Sequence, residues 1–215
     1  MARPRKHARG DTRGRILKAA IDEFASRGYD AAGVDRIARR ARVNKALIYY
    51  YFANKRGLYH EILQASLQGM VAPLRLVVDG PDDANVKLAA YIDTLVEHLD
   101  RHPHLPPIML RELADGGRHL DVETLRQMLT LPPLLFRLVG QGRQEGAFGP
   151  FDPLMLHFVL MGTAMLMASN VPIRRRVRQL GLAQPPLDTA ATTALLQAVA
   201  RRTLRKDHTD ASTAH

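Results

Sequence analysis

The 215-residue sequence has no cysteine and no tryptophan, and aromatics make up only 6% of it. Without cysteine there are no disulfides, no thiolate-bound zinc and no thiol nucleophile, a composition that suits a reducing, cytoplasmic compartment. The basic N-terminus MARPRKHARG is not followed by an apolar run, so a signal peptide is not expected. The most apolar segment, Pro153 to Val171, is interrupted by His157, Thr163 and Asn170, and reads as a buried helix rather than a membrane span. No stretch alternates with period two for long enough to suggest a strand, and no internal repeat is visible. A Gly-rich phosphate loop, a Ser/His/Asp arrangement and paired carboxylates in a suitable context are all missing, so no enzyme activity and no cofactor are expected. His98 and His102 stand four residues apart with His104 beyond Pro103, a spacing that suits zinc or nickel. No carboxylate or cysteine completes that set, and no metal is assigned. Asp79, Asp82 and Asp83 read as a solvated turn.

What the sequence does have is charge, placed unevenly. The formal net charge is +10, and residues 1–60 hold 15 Lys/Arg against 5 Asp/Glu, whereas residues 61–215 hold 16 of each. All the excess therefore sits at the front, which calls for an anionic partner there, nucleic acid or a membrane surface, and a neutral role for the remainder.

Hydrophobic periodicity predicts an all-α protein of about nine helices. Residues 1–10 read as a flexible basic arm. A first helix starts near Asp11 or Thr12 and stops at Gly28, and a second carries Val34, Ile37, Ala38 and Ala41. After Arg42-Val43, Asn44 is a good N-cap for a third. Two short helices across a tight turn, at about residues 33–52, have a helix-turn-helix outline. A fourth helix is expected from Asn54 to before Pro73, a fifth after DGPDDAN, and a short one from about Pro107 to Ala114. The next, from about Val122 to Glu145, must kink or split at Pro132-Pro133. Asp152-Pro153 opens an eighth, residues 171–187 with RRRVR read as a loop, and a last helix spans roughly Asp188 to Arg205.

The third helix carries the functional signal. NKALIYYYFANK concentrates Tyr49, Tyr50, Tyr51 and Phe52 in four consecutive positions, which fan around most of a helix and cannot all enter one core. Ile48 and Phe52, four apart, form the buried edge, so Lys45, Ala46 and Tyr50 point elsewhere. A small residue permits close approach, lysine can reach guanine edges, and phenol hydroxyls can bond phosphates.

Residues 16–63, ILKAAIDEFASRGYDAAGVDRIARRARVNKALIYYYFANKRGLYHEIL, resemble the DNA-binding domain of the tetracycline-repressor (TetR) family of bacterial transcription regulators. The resemblance covers about a quarter of the chain. It implies an N-terminal three-helix DNA-binding domain at 11–57, a larger helical ligand-binding and dimerisation domain at 58–207, and a frayed tail at 208–215. Carried over by position, Lys45 and Ala46 would contact base edges with Leu47 close by. Tyr49, Tyr50, Tyr51 and Lys55 would hold phosphates, Val34 would lie along the backbone, and Arg3 and Arg5 of the arm would enter a minor groove. The family usually has glycine in the turn, where this chain has Arg42. A strained or differently shaped turn is expected there, with Arg42 available for a phosphate. Ala32 and Gly33 stand where Thr or Ser is usual, and no acidic residue completes a capping box at Arg36, so the start of the second helix is expected to fray.

The same resemblance implies a homodimer on double-stranded DNA, with an interface through Leu154, Leu187, Ala191, Ala194, Leu195 and Ala198, and a small-molecule inducer. Met109, Leu113, Met128, Leu135, Phe136, Phe158, Met161 and Met165 are the expected pocket, although core packing explains a methionine stripe equally well. The expected function is a ligand-responsive regulator, most often a repressor. The alternative is an architectural or nonspecific DNA binder, for which the charge alone suffices.

Overall fold

A computed structural model of the chain describes residues 6–182 and 188–205, with side chains from Thr12 onward. Arg3, Arg5 and Leu187 lie outside the described residues. The described residues form eleven helices and no strand: α1 (Lys6–Ala31), α2 (Val34–Ala41), α3 (Lys45–Phe52), α4 (Lys55–Asp79), α5 (Ala84–Arg101), α6 (Leu105–Ala114), α7 (Val122–Met128), α8 (Leu131–Gln144), α9 (Pro153–Ser169), α10 (Val171–Gln179) and α11 (Thr189–Thr203). The all-α class is as expected.

Several boundaries differ from the expectation for identifiable reasons. Helix α1 begins at Lys6, inside the stretch read as an arm. Gly28 does break it, with φ 73° and ψ 176°, but a further turn reaches Ala31. Helix α4 runs through Pro73 to Asp79. A proline inside a helix costs roughly 3 kcal/mol, and here Leu74 and Val78 are buried on the far side of it, which offsets that cost. The Pro132-Pro133 pair splits the expected long helix, leaving α7 and an α8 that starts with proline in its first turn, where the missing N–H costs least. RRRVR lies not in a loop but in α10, a helix with no buried residue.

The chain divides into two compact units, residues 1–67 with 104–127 and residues 68–103 with 128–215. In the first, α1 packs on α2 and α6, and α2 on α3. Ile16, Ala20, Phe24, Ile37, Ile48, Leu58 and Tyr59 form its core. The break at Gly28 exposes the last carbonyls of the preceding helix, and Arg111 of α6 covers them, donating to Phe24 and Ser26 at 3.4 Å each and to Ala25. A polar cluster lies behind it. Buried Glu112 accepts from the Tyr59 hydroxyl at 2.6 Å and lies 3.0 Å from His119 Nδ1, whose other nitrogen is 3.1 Å from Asp30. Burial, reinforced by the Glu112 contact, pushes the Tyr59 phenol far up.

In the second unit α5 is surrounded by α8, α9 and α11. Leu88, Ile92, Leu95, Leu135, Leu138, Leu160 and Leu196 form the core. Aspartates cap the starts of α5, α9 and α11: Asp83 accepts from Asn85 and Val86, Asp152, the cap expected from the sequence, from Leu154, and Asp188 from Ala191. Lys87, buried on α5, donates to Gln141 of α8 at 2.8 Å. Gly142 leaves room for Phe148, whose ring would lie 2.0 Å from an added Cβ. Gly142→Ala is therefore expected to lower stability by about 1–3 kcal/mol, read as a fall in the urea midpoint at unchanged slope.

Candidate nucleic-acid interface

Helix α3 is only eight residues long, too short to persist alone. It is held along one edge. Ile48 is fully buried and Phe52 is 5% exposed, whereas Tyr49 and Tyr50 are 43% and 67% exposed. Both ends are tied by asparagine: Asn44 Oδ1 accepts from Ala46 N at 2.9 Å, and Asn54 Oδ1 accepts from Gly57 N at 2.8 Å to start α4. Between them the chain turns sharply at Ala53, with φ 60° and ψ −52°, and Asn54 N donates to Phe52 O at 2.6 Å. Gly57 must be glycine here, because a Cβ would sit 2.5 Å from the Phe52 carbonyl oxygen.

The turn between α2 and α3 answers the question raised by Arg42. It adopts φ 54° and ψ 50°, the left-handed region usually left to glycine. Val43 N donates to Ala38 O at 3.0 Å, closing the end of α2 in the usual left-handed manner. The turn is thus of the ordinary shape with an unusual residue in it, and Arg42 points into solvent.

The start of α2 is better anchored than expected. Gly33 provides no side-chain cap, but Glu23 of α1 accepts from Gly33 N at 3.3 Å and from Arg36 Nε at 2.5 Å. Burial pushes the Glu23 carboxyl up, but the hydrogen bonds from Arg36 and Gly33 and the charges of Arg36 and Arg27 outweigh it, so it stays below its ordinary value. Sequence reasoning missed Glu23 because the cap comes from another helix; its position among apolar neighbours in α1 was the available signal. Arg13, also missed, pairs with Glu61 and stands 5.4 Å over the Phe52 ring.

Ala46 and Leu47 are exposed beside the tyrosines, while Tyr51 and Val34 are half-buried. Lys45 Nζ lies 2.9 and 3.0 Å from the two carboxylate oxygens of Asp35. Hydrogen bonding to Asp35 keeps the Lys45 ammonium above its ordinary value. Lys55 is less open: its ammonium sits 4.5 Å over the Tyr29 ring and donates to Asp30 O at 3.3 Å. Burial moves it down.

The residues expected to line a ligand pocket are divided between the two units. Met109 and Leu113 belong to the first unit, where Leu113 is exposed. In the second, Leu135 and Met165 are buried, Met128 and Met161 half-buried, and Phe136 and Phe158 exposed. A cavity of about 60 Å³ lies among Val96, Leu99, Ala164, Met167, Arg174 and Thr192, none of them in that set. Helix α9 was expected to be buried, but only one face is. Leu154, Met155, Phe158, Val159 and Leu166 remain exposed, and on neighbouring α11 so do Ala194, Leu195 and Ala198, with Ala191 half-covered. The rings of His98 and His102 are 4.4 Å apart, and among the described residues no group of three or more His, Asp or Glu is arranged to hold a metal ion.

Comparison with known proteins decides the family. The profile of bacterial regulatory proteins of the tetR family matches residues 16–62, and that of the tetracyclin repressor-like C-terminal domain matches residues 85–199. The chain belongs to the TetR family. The HTH-type transcriptional repressor SCO4008 of Streptomyces coelicolor is 37% identical over 117 residues, 54% of this chain and 57% of that protein. The HTH-type transcriptional activator FasR of Mycolicibacterium smegmatis is 35% identical over 92 residues, 43% of this chain and 42% of its own. The match thus spans about half the length of these TetR-family relatives, which are transcription regulators and not enzymes. A tetR-family regulatory protein from Rhodococcus RHA1 superposes with TM-score 0.75 at 20% identity, covering 90% of this chain and 96% of that one. The ketosteroid transcriptional regulator KstR2 of Mycobacterium tuberculosis does so with TM-score 0.71 at 22% identity, over 91% and 95%. Among the described residues no single helix is long and apolar enough to cross a membrane, although α9 and α10, bent by 45°, together meet that length and composition.

Where the TetR family usually has glycine, Arg42→Gly should relieve the left-handed turn and raise stability by about 1 kcal/mol, seen as a higher urea midpoint.

Proposed function

We propose that this TetR-family chain is a cytoplasmic, ligand-responsive transcriptional repressor that binds a palindromic DNA operator as a homodimer and leaves it when a small-molecule inducer binds. The observation that carries this reading is the seating of α3, which buries Ile48 and Phe52 and turns Ala46, Tyr49 and Tyr50 outward. Lys45 and Ala46 at its start, with Leu47, read base edges. Tyr49, Tyr50 and Tyr51 grip phosphates, Lys55 supports them from its seat on Tyr29, and Val34 lies along the backbone. Arg42 contributes a further phosphate contact.

The open apolar faces of α9 and α11, with Leu154, Ala191, Ala194, Leu195 and Ala198, serve as the self-complementary dimer surface. The inducer site belongs to the second unit. There the hydroxyl of Tyr91, a residue 1% exposed, has no hydrogen-bond partner among the described residues. Burying such a group costs about 1–3 kcal/mol, which an acceptor on a ligand would recover. Release requires the inducer to prefer a dimer whose two recognition helices no longer match successive major grooves.

Selection of genomic fragments by the purified protein, followed by competition with unrelated duplex, tests this reading; equal competition would favour the nonspecific binder instead. On the recovered operator, Lys45→Ala is expected to cost about 1–3 kcal/mol and relax base preference. Tyr49→Phe should weaken all duplexes alike. If neither change alters affinity at fixed salt, α3 is not the recognition helix. Leu195→Arg, measured by sedimentation, should convert dimer to monomer, and an unchanged mass would reject the α9–α11 surface.

A further inference from the structure

Asp35 is the sole acidic residue between Val34 and Phe52, a segment with five Lys/Arg. A carboxylate on a face meant for phosphates repels every duplex, so its presence there needs a reason. One is local: Asp35 occupies the first turn of α2, where a negative charge suits the helix dipole. Its contacts point further. Both carboxylate oxygens lie within 3.0 Å of Lys45 Nζ, bridging the start of α2 to the start of α3 across the turn. An ammonium has three N–H donors, and a carboxylate that engages it with both oxygens leaves one free.

Resting on the reading of α3 as the recognition helix, we propose that Asp35 is a specificity-determining residue that holds Lys45 as a base reader and keeps it from acting as a general phosphate binder. On arbitrary duplex the charge of Lys45 is already compensated, so it releases little of the counterion atmosphere that drives nonspecific binding. On the operator the remaining N–H reaches a guanine edge without dismissing Asp35. Discrimination then comes from weakening the wrong complexes more than the right one.

The test compares the wild type, Asp35→Asn, Asp35→Glu, Lys45→Ala and the Asp35→Asn/Lys45→Ala double variant on the recovered operator and on a scrambled duplex across a range of salt. Asp35→Asn is expected to tighten scrambled-duplex binding and steepen its log–log salt slope by about 0.9, one added phosphate contact. The ratio of operator to scrambled affinity should fall about 5-fold or more. Asp35→Glu should keep the wild-type ratio, and in the Lys45→Ala background Asp35→Asn should leave the ratio unchanged. An unchanged or larger ratio in Asp35→Asn overturns the proposal, as does an equal fall without Lys45. Weaker binding of both duplexes, the signature of a damaged helix start, also overturns it. If the wild type itself does not distinguish the two duplexes, the recognition-helix reading fails and this proposal falls with it. Discrimination by the wild type with an indifferent Asp35→Asn overturns the role of Asp35 alone.

Discussion

Two side chains, Ile48 and Phe52, seat the eight-residue α3, and the rest of the proposed interface depends on them. Four residues apart on a short helix, they define a single buried edge. Ala46, Leu47, Tyr49 and Tyr50 are turned outward, and the four consecutive aromatics divide into one buried anchor, two displayed rings and the half-buried Tyr51. The asparagines at either end and the close approach of Gly57 to the Phe52 carbonyl hold the helix at fixed length. A helix this short gains little from its own hydrogen bonds, so its orientation is set by its neighbours.

The first unit repeatedly supplies from a distant helix what local sequence omits. The start of α2 has no capping side chain of its own, and Glu23 on α1 takes that place. The carbonyls freed at Gly28 are covered by Arg111, more than eighty residues along the chain. Tyr59, Glu112 and His119 then form a polar chain, buried or half-buried, that reaches exposed Asp30 and ties α4 and α6 to the end of α1. Such a network is stable only if its members are all satisfied, which makes residues 104–127 an integral part of the unit that carries α3.

The second unit is built on a different compromise. Its core is aliphatic, yet α9 and α11 leave aliphatic and aromatic side chains open to water, and α10 has no fully buried residue. Apolar surface on adjacent helices is poorly hydrated wherever it remains exposed. Its position on two neighbouring helices suits pairing with an identical surface, the arrangement proposed for the homodimer. The Tyr91 hydroxyl, without a partner among the described residues, is the corresponding irregularity inside.

Helix type, the helix-turn-helix boundaries and the inward placing of Ile48 and Phe52 were legible in the sequence, because each follows from local periodicity and from capping residues within four positions of where they act. The concentration of positive charge in the first 60 residues was equally plain. Tertiary structure alone decided the left-handed turn at Arg42, the helical state of α10 and the passage of α4 through Pro73, since each is settled by surroundings that override local propensity. It also decided which of the expected pocket residues are buried and which exposed, and the pairing of Lys45 with Asp35. Those depend on which side chains converge from separate helices, and helical spacing specifies the face a residue occupies but not what it meets there.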